Sequence, residues 1–217
     1  NLIGFQPRLA QELGYGKAVH HVLRSIAEVT KDTGNVPSKE EVDHLFDTSF
    51  FLPTANKPAH KQLKGAARRH IDTYTAKHKE DLFRVWETER PFELHLDGVT
   101  ISGRADVILD KEAGSPDSLA IVDYKTSTDD AGDHALQLQV YADAGRREDL
   151  DIRATYVHDL GAADRTEIPV GPDEITAAEE TVVNAANRIK SKDYTPNPGT
   201  KCARCEVRTI CPYSSMT

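Results

Sequence analysis

The chain has 217 residues, 38% of them hydrophobic and 29% charged, with a formal net charge of −8. That balance suits a globular protein long enough to bury a real core, and no apolar run reaches the roughly 18–20 residues a membrane span needs. An acidic total argues against a uniformly basic nucleic-acid surface, yet leaves room for a carboxylate-rich metal site beside local basic patches.

In chain order, residues 17–30 place Val19, Val22, Leu23 and Ile26 on one face, which predicts a helix. A polar loop with Gly34 and Pro37 follows, then a second helix over Ser38–Leu45. Pro53 and Pro58 interrupt the chain before a third, very polar helix over 58–79. The period then changes to two: Phe92, Leu94 and Leu96 alternate with polar residues, and Asp97-Gly98 is a strong hairpin turn. Val99, Ile101, Val107 and Leu109 continue on the return strand. Leu119–Lys125 reads as a third strand, 133–147 as a helix, and Ile152–His158 as a fourth strand. A last helix is expected over 173–190, with Pro172 in its first turn and Ile175, Ala178, Val182, Ala185 and Ile189 buried. Helices, hairpin, strand, helix, strand, helix is the order of an α/β fold, a central mixed β-sheet flanked by helices. The expected layout over 1–217 is one domain: a helical N-terminal part (1–84), a sheet core (85–160), and a C-terminal helix with a cysteine-containing tail (161–217). Asn1 opens the chain and Met216 is its only methionine, which reads as a fragment of a longer protein.

The chemistry concentrates in Gly103-Arg104-Ala105-Asp106 on one strand and Asp123-Tyr124-Lys125 on the next. Side chains alternate along a strand, so Asp123 and Lys125 share a face and Tyr124 takes the other. Two carboxylates from neighbouring strands offer the hard oxygen ligands that suit Mg²⁺ or Mn²⁺. A protonated lysine cannot ligate, but it can orient water or meet charge on a phosphate oxygen. An Asp-x-Lys triplet alone would read as a surface salt bridge; the upstream Gly-x-x-Asp strand and its clean hairpin point instead to a site.

These segments resemble the PD-(D/E)XK nuclease superfamily, and within it the RecB-type branch. That branch carries Gly-x-x-x-His on a helix, an acidic residue before a Gly-x-x-Asp strand, an Asp-x-Lys strand, and Gln-x-x-x-Tyr on a helix. Here the counterparts stand in order: Gly16 to His20, Glu89 before Gly103 to Asp106, Asp123-Tyr124-Lys125-Thr126, and Gln137 to Tyr141. The resemblance implies a restriction-endonuclease-like fold and a nuclease that hydrolyses DNA phosphodiester bonds with Mg²⁺ or Mn²⁺. It implies that His20, Asp106 and Asp123 ligate the metal, helped by the backbone carbonyl of Tyr124, and that Lys125 positions the attacking water. Gln137 and Tyr141, on one helical face, would contact the DNA backbone or buttress the site. Glu89 is a weaker second-metal candidate, with Glu87 as a substitute if the strand register differs. His20 lies at the edge of the apolar stripe and His21 nearer solvent, which favours His20 as the inward residue.

Cys202, Cys205 and Cys211 form a C-x2-C-x5-C run, an odd set that suits metal ligation in the reducing cytoplasm better than disulfides. Some RecB-type nucleases join such a trio to a cysteine ahead of the first helix around a 4Fe-4S cluster. That cluster is expected only in a full-length protein, since its fourth cysteine is absent from this chain; a zinc site with a histidine is the alternative. Lys57, Lys61, Lys64 and Arg68 make one basic stripe on the third helix, a candidate DNA-binding face or an ordinary solvated one. Trp86 and Phe92 read as core. The missing N-terminal part fits a helicase motor in the same polypeptide or complex, hence an exonuclease module in DNA repair or recombination. The alternatives are a stand-alone or CRISPR-associated RecB-type exonuclease and, from another class, a catalytically inactive DNA-binding module.

Overall fold

The computed structural model describes residues 13–110, 118–126, 131–199, 202–203, 205 and 207–213, with 131–133 described by backbone alone. Among the described residues five strands form one mixed sheet in the order β1-β2-β3-β4-β5. They are β1 (Val85–Leu96), β2 (Val99–Leu109), β3 (Leu119–Lys125), β4 (Ile152–Asp159) and β5 (Asp164–Ile168). The β3–β4 pair is parallel and the other neighbours are antiparallel. Asp97 (φ 45°) and Gly98 (φ 71°) make the tight β1–β2 turn that the Asp-Gly pair calls for.

Among the described residues four helices precede the sheet: α1 (Tyr15–Thr33), α2 (Lys39–Ser49), α3 (Lys57–Lys77) and α4 (Lys79–Phe83). Their ends have local causes. Gly34, at φ 70°, closes α1 by donating its N–H to Thr30 O at 2.8 Å. Ser38 and Glu41 form a reciprocal capping box at α2, with Ser38 N donating to Glu41 Oε2 at 2.7 Å. The Asn56 side chain accepts from Ala59 N at 3.0 Å and opens α3. Helix α5 (Ala131–Arg147) links β3 to β4, and α6 (Pro172–Lys190) follows β5.

The sheet has a core on each side. Val19, Ile26, Phe46, Leu52, Ile71 and Leu82 from α1–α4 and the adjoining loops pack against Val107, Leu109, Val122 and Tyr124. Leu138 and Ala142 of α5 pack against Phe92, Leu94, Ile108, Ile121 and Ile152. Each large aliphatic or aromatic side chain so buried stabilises the fold by roughly 1.5–3 kcal/mol.

Three differences from the sequence reading have physical reasons. Helix α6 packs mainly on α5, so Ala178 is buried and Ile175 and Val182 are half-covered, while Ala185 and Ile189 are exposed. The expected five-residue buried face is therefore only its first half. Strand β5, with the sequence Asp-Arg-Thr-Glu-Ile, lacks apolar alternation because it is a charged edge strand. Strand β1 begins at Val85, earlier than the alternation from Phe92 suggests, and so takes in Glu87 and Glu89.

Candidate functional site

Strands β2 and β3 pair only at Val107↔Val122, Ile108↔Ile121 and Leu109↔Ala120. Beyond Val107, β2 stays with β1, while β3 stays with β4 as far as Lys125↔Asp159. The two central strands part there, and Asp106 and Asp123 stand at the mouth of the fork.

Each carboxylate is held from more than one side. Asp106 Oδ2 accepts the backbone N–H of Tyr124 at 2.8 Å, which ties β2 to β3 where the ladder has ended. Asp106 Oδ1 lies 3.2 Å from His20 Nδ1 on α1. Asp123, only 3% exposed, has Oδ2 2.6 Å from Lys125 Nζ and Oδ1 3.3 Å from Gln137 Nε2 of α5. Gln137 Nε2 also donates to Tyr141 Oη at 3.1 Å, and Tyr141 Oη accepts from Arg104 N at 3.1 Å. The start of α1 reaches the end of β3, where a Cβ on Gly16 would stand 3.5 Å from Thr126 Oγ1.

Electrostatics follow the crowding. Burial, then the charge of Asp106, raises the Asp123 pKa above the ordinary carboxylate value, against the pull of Lys125. Burial disfavours the His20 imidazolium, but its hydrogen bond to Asp106 and the charges of Asp106 and Asp123 prevail and raise its pKa.

The fork thus gathers His20, Asp106, Asp123, Tyr124, Lys125, Gln137 and Tyr141. His21 bonds Arg24 at 2.7 Å instead. Glu89 lines the same small cleft as His20 and Asp106; it holds a left-handed φ of 52° and lies 3.6 Å from Arg104. A non-glycine residue in that conformation is strained, as residues at functional sites often are. Glu87 is turned to Arg90, at 2.7 Å. One group had no local signal in sequence: Tyr74, whose Oη shares a 2.8 Å hydrogen bond with Tyr124 Oη. Gly103, the glycine of the Gly-x-x-Asp segment, lies under the Tyr141 ring.

The donor set fits a hard divalent cation in kind. Two carboxylates repel across the fork, an imidazole adjoins them, and Asp123 Oδ2 is buried with no hydrogen-bond partner beyond its ion pair to Lys125. Lys125, Gln137 and the Tyr124 amide engage the carboxylates, and among the described residues no three of His, Cys, Asp or Glu are gathered tightly enough to grip an ion. The expected close convergence of three ligands is therefore looser than the motif suggested.

Among the described residues the cysteines belong to no group of three or more His, Cys, Asp or Glu that could hold a metal ion. Cys202, Cys205 and Cys211 carry free thiols, with Cys205 N donating to Cys202 O at 3.3 Å and Cys211 N to Val207 O at 2.9 Å. A 4Fe-4S cluster or a structural zinc wants four ligands, and three cysteines do not supply them. The basic stripe is also reduced. Lys64 pairs with Asp47 at 2.5 Å, and Arg68 with Asp43 and with Asp72, leaving Lys57 and Lys61. Phe92 is core, and Trp86 is half-buried with Arg90 over its ring.

The model of one protein family, described as the PD-(D/E)XK nuclease superfamily, matches residues 3–212. The chain belongs to that superfamily. A nuclease activity is the family's property. Among curated proteins no sequence matches. One similar solved structure is that of SSO0001, with TM-score 0.43 and 19% identity over 92% of this chain and 85% of that one. Another is described as a "Putative exonuclease" from Eubacterium rectale, with TM-score 0.49 and 16% identity over 95% of this chain and 76% of that one. Among the described residues no helix is long and apolar enough to cross a membrane.

Proposed function

We propose that this PD-(D/E)XK nuclease is a divalent-metal-dependent deoxyribonuclease of the RecB type, an exonuclease module working with a helicase motor in DNA repair or recombination. The observation that carries the reading is the fork: the β2–β3 ladder ends at Val107↔Val122, next to Asp106 and Asp123, with His20 hydrogen-bonded to the first and Lys125 ion-paired to the second.

His20, Asp106 and Asp123, with the Tyr124 carbonyl, would hold Mg²⁺ or Mn²⁺, and Glu89 would serve a second ion. When bound, the cation supplies activation of water and neutralisation of phosphate charge. The chain's own residues do the rest. Lys125 Nζ orients the attacking water and meets developing charge on the phosphate. Tyr124 N and His20 keep the Asp106 carboxylate turned into the fork. Gln137 and Tyr141 brace Asp123 and the Arg104 backbone from behind, which favours buttressing over direct DNA contact. The cysteine tail is assigned no step in this reaction.

Degradation of linear DNA, with Mn²⁺ and with EDTA, tests the proposal in wild type and Asp123→Ala. Loss of cleavage in EDTA and in the variant is expected. Equal degradation by both proteins, or none by either, sinks it.

A further inference from the structure

We propose that Phe51, Lys57, His60 and Lys61 form a subsite for single-stranded DNA, away from the fork, that stacks one base and meets the neighbouring phosphates. The inference rests on the nuclease reading and extends it from the reacting phosphate to the strand that approaches it.

The chain Phe50-Phe51-Leu52 runs extended between α2 and α3. Phe50 and Leu52 are 4% and 2% exposed, while Phe51 between them is 70% exposed. Alternation buries the first and third side chains and turns the middle ring outward. That ring faces a concave surface lined by Pro53, Lys57, His60, Lys61 and Lys64. Lys57 and Lys61 have no ion-pair partner among the described residues, whereas Lys64 is neutralised by Asp47. An outward aromatic face among unpaired cations is the arrangement that holds single strands: rings stack bases of any identity, and ammonium groups meet the backbone. A protein partner would want a larger contiguous apolar area than one ring supplies.

The patch is also joined to the fork. Phe50 packs edge-on against His60 and against Tyr15, with ring centroids at 5.8 and 6.3 Å. Tyr15 opens α1, and its neighbour Gly16 lies beside Thr126, the residue after Lys125. The floor of the patch therefore packs on the helix that reaches the end of β3.

The test is fluorescence anisotropy of a short labelled single-stranded oligonucleotide with the full chain in EDTA, where no cleavage consumes the probe. Phe51→Ala is expected to weaken binding roughly tenfold, the size of one lost base stack. Phe51→Trp is expected to bind at least as tightly as wild type, which a merely structural role would not produce. Lys57→Ala with Lys61→Ala is expected to reduce the slope of log affinity against log salt by about 1.4, two single-strand phosphate contacts. Lys79→Ala, a surface lysine outside the patch, is expected to leave affinity unchanged. Wild-type affinity in both Phe51→Ala and the double lysine variant overturns the subsite and leaves the nuclease reading standing. A wild-type chain that neither binds the oligonucleotide nor cleaves DNA with Mn²⁺ removes both.

Discussion

Tyr141 lies so close over Gly103 that a Cβ at that position would fall 2.3 Å from Tyr141 Cε1 and 2.6 Å from its hydroxyl. The glycine of the Gly-x-x-Asp segment is therefore the space into which α5 sets its ring. From that seat the hydroxyl reaches both Gln137 and the Arg104 amide.

Gly103→Ala should accordingly push Tyr141 off its hydrogen bonds and destabilise the protein by about 1–3 kcal/mol, the usual cost of overpacking. Urea unfolding measures this. Adding Tyr141→Leu to Gly103→Ala should recover part of the loss, because the shorter side chain vacates the contact. Wild-type stability in Gly103→Ala alone would show that the ring yields without cost.

Tyr141→Phe keeps the ring and removes the hydroxyl, leaving the Arg104 N–H without that acceptor. A loss of about 1 kcal/mol is expected. Cleavage should fall in kcat with little change in KM, because Tyr141 acts through Gln137 and the strand rather than on the substrate. A raised KM with unchanged stability would instead assign the hydroxyl to DNA contact.

Asp123→Asn should abolish cleavage yet raise the melting temperature at pH 7 in EDTA. The raised pKa of Asp123 means that its ionised form is disfavoured in the folded state by burial and by Asp106. The folded state binds this proton more tightly than the unfolded chain, so the cost is present at neutral pH and fades as pH falls and the carboxylate protonates. The advantage of the asparagine should shrink over the same range. A variant less stable than wild type at pH 7 would mean that the Lys125 ion pair outweighs the repulsion.

His158 predicts acid sensitivity from a second place. It is fully buried on β4, with no hydrogen-bond partner for either ring nitrogen among the described residues. Burial first, then Arg165 and His78, push its pKa down to about 4, against the opposing charges of Asp81 and Asp159. His78 shifts the same way, by burial and Arg165. The unfolded chain takes up the His158 proton first, near its ordinary value of about 6.5, so stability should fall as pH drops from there toward 4, by up to about 3 kcal/mol. Thermal unfolding between pH 7 and pH 4.5 should show this loss, and His158→Leu should flatten it. An unchanged slope in the variant would place the sensitivity elsewhere.

Local chemistry determined much of this protein by itself. The stripe of Val19, Val22, Leu23 and Ile26, the Asp97-Gly98 turn and the apolar run of Leu119–Val122 each act over a few residues. Helix and strand periods are short-range properties, so most helices and the first four strands were legible, although β1 starts at Val85 rather than near Phe92 and the short α4 carried no signal of its own. So was the group of chemistry-bearing residues, because the family's motifs are short and stand in order. Edge strand β5 was not, since a strand with one neighbour and a charged face has no apolar alternation to read.

Tertiary structure alone decided what those residues do to one another. The ladder between β2 and β3 stops at Val107↔Val122, and Asp106 and Asp123, the next residues, turn to partners from other elements, His20 of α1 and Gln137 of α5. Tyr74 meets Tyr124 from a distant helix, and α2 cancels half of the α3 lysine-arginine stripe through Asp43 and Asp47. The same packing leaves the far half of α6 uncovered, although its apolar spacing continues. Such pairings depend on where separate elements come to rest, and side-chain charge or burial at one position is set by neighbours that no local period encodes.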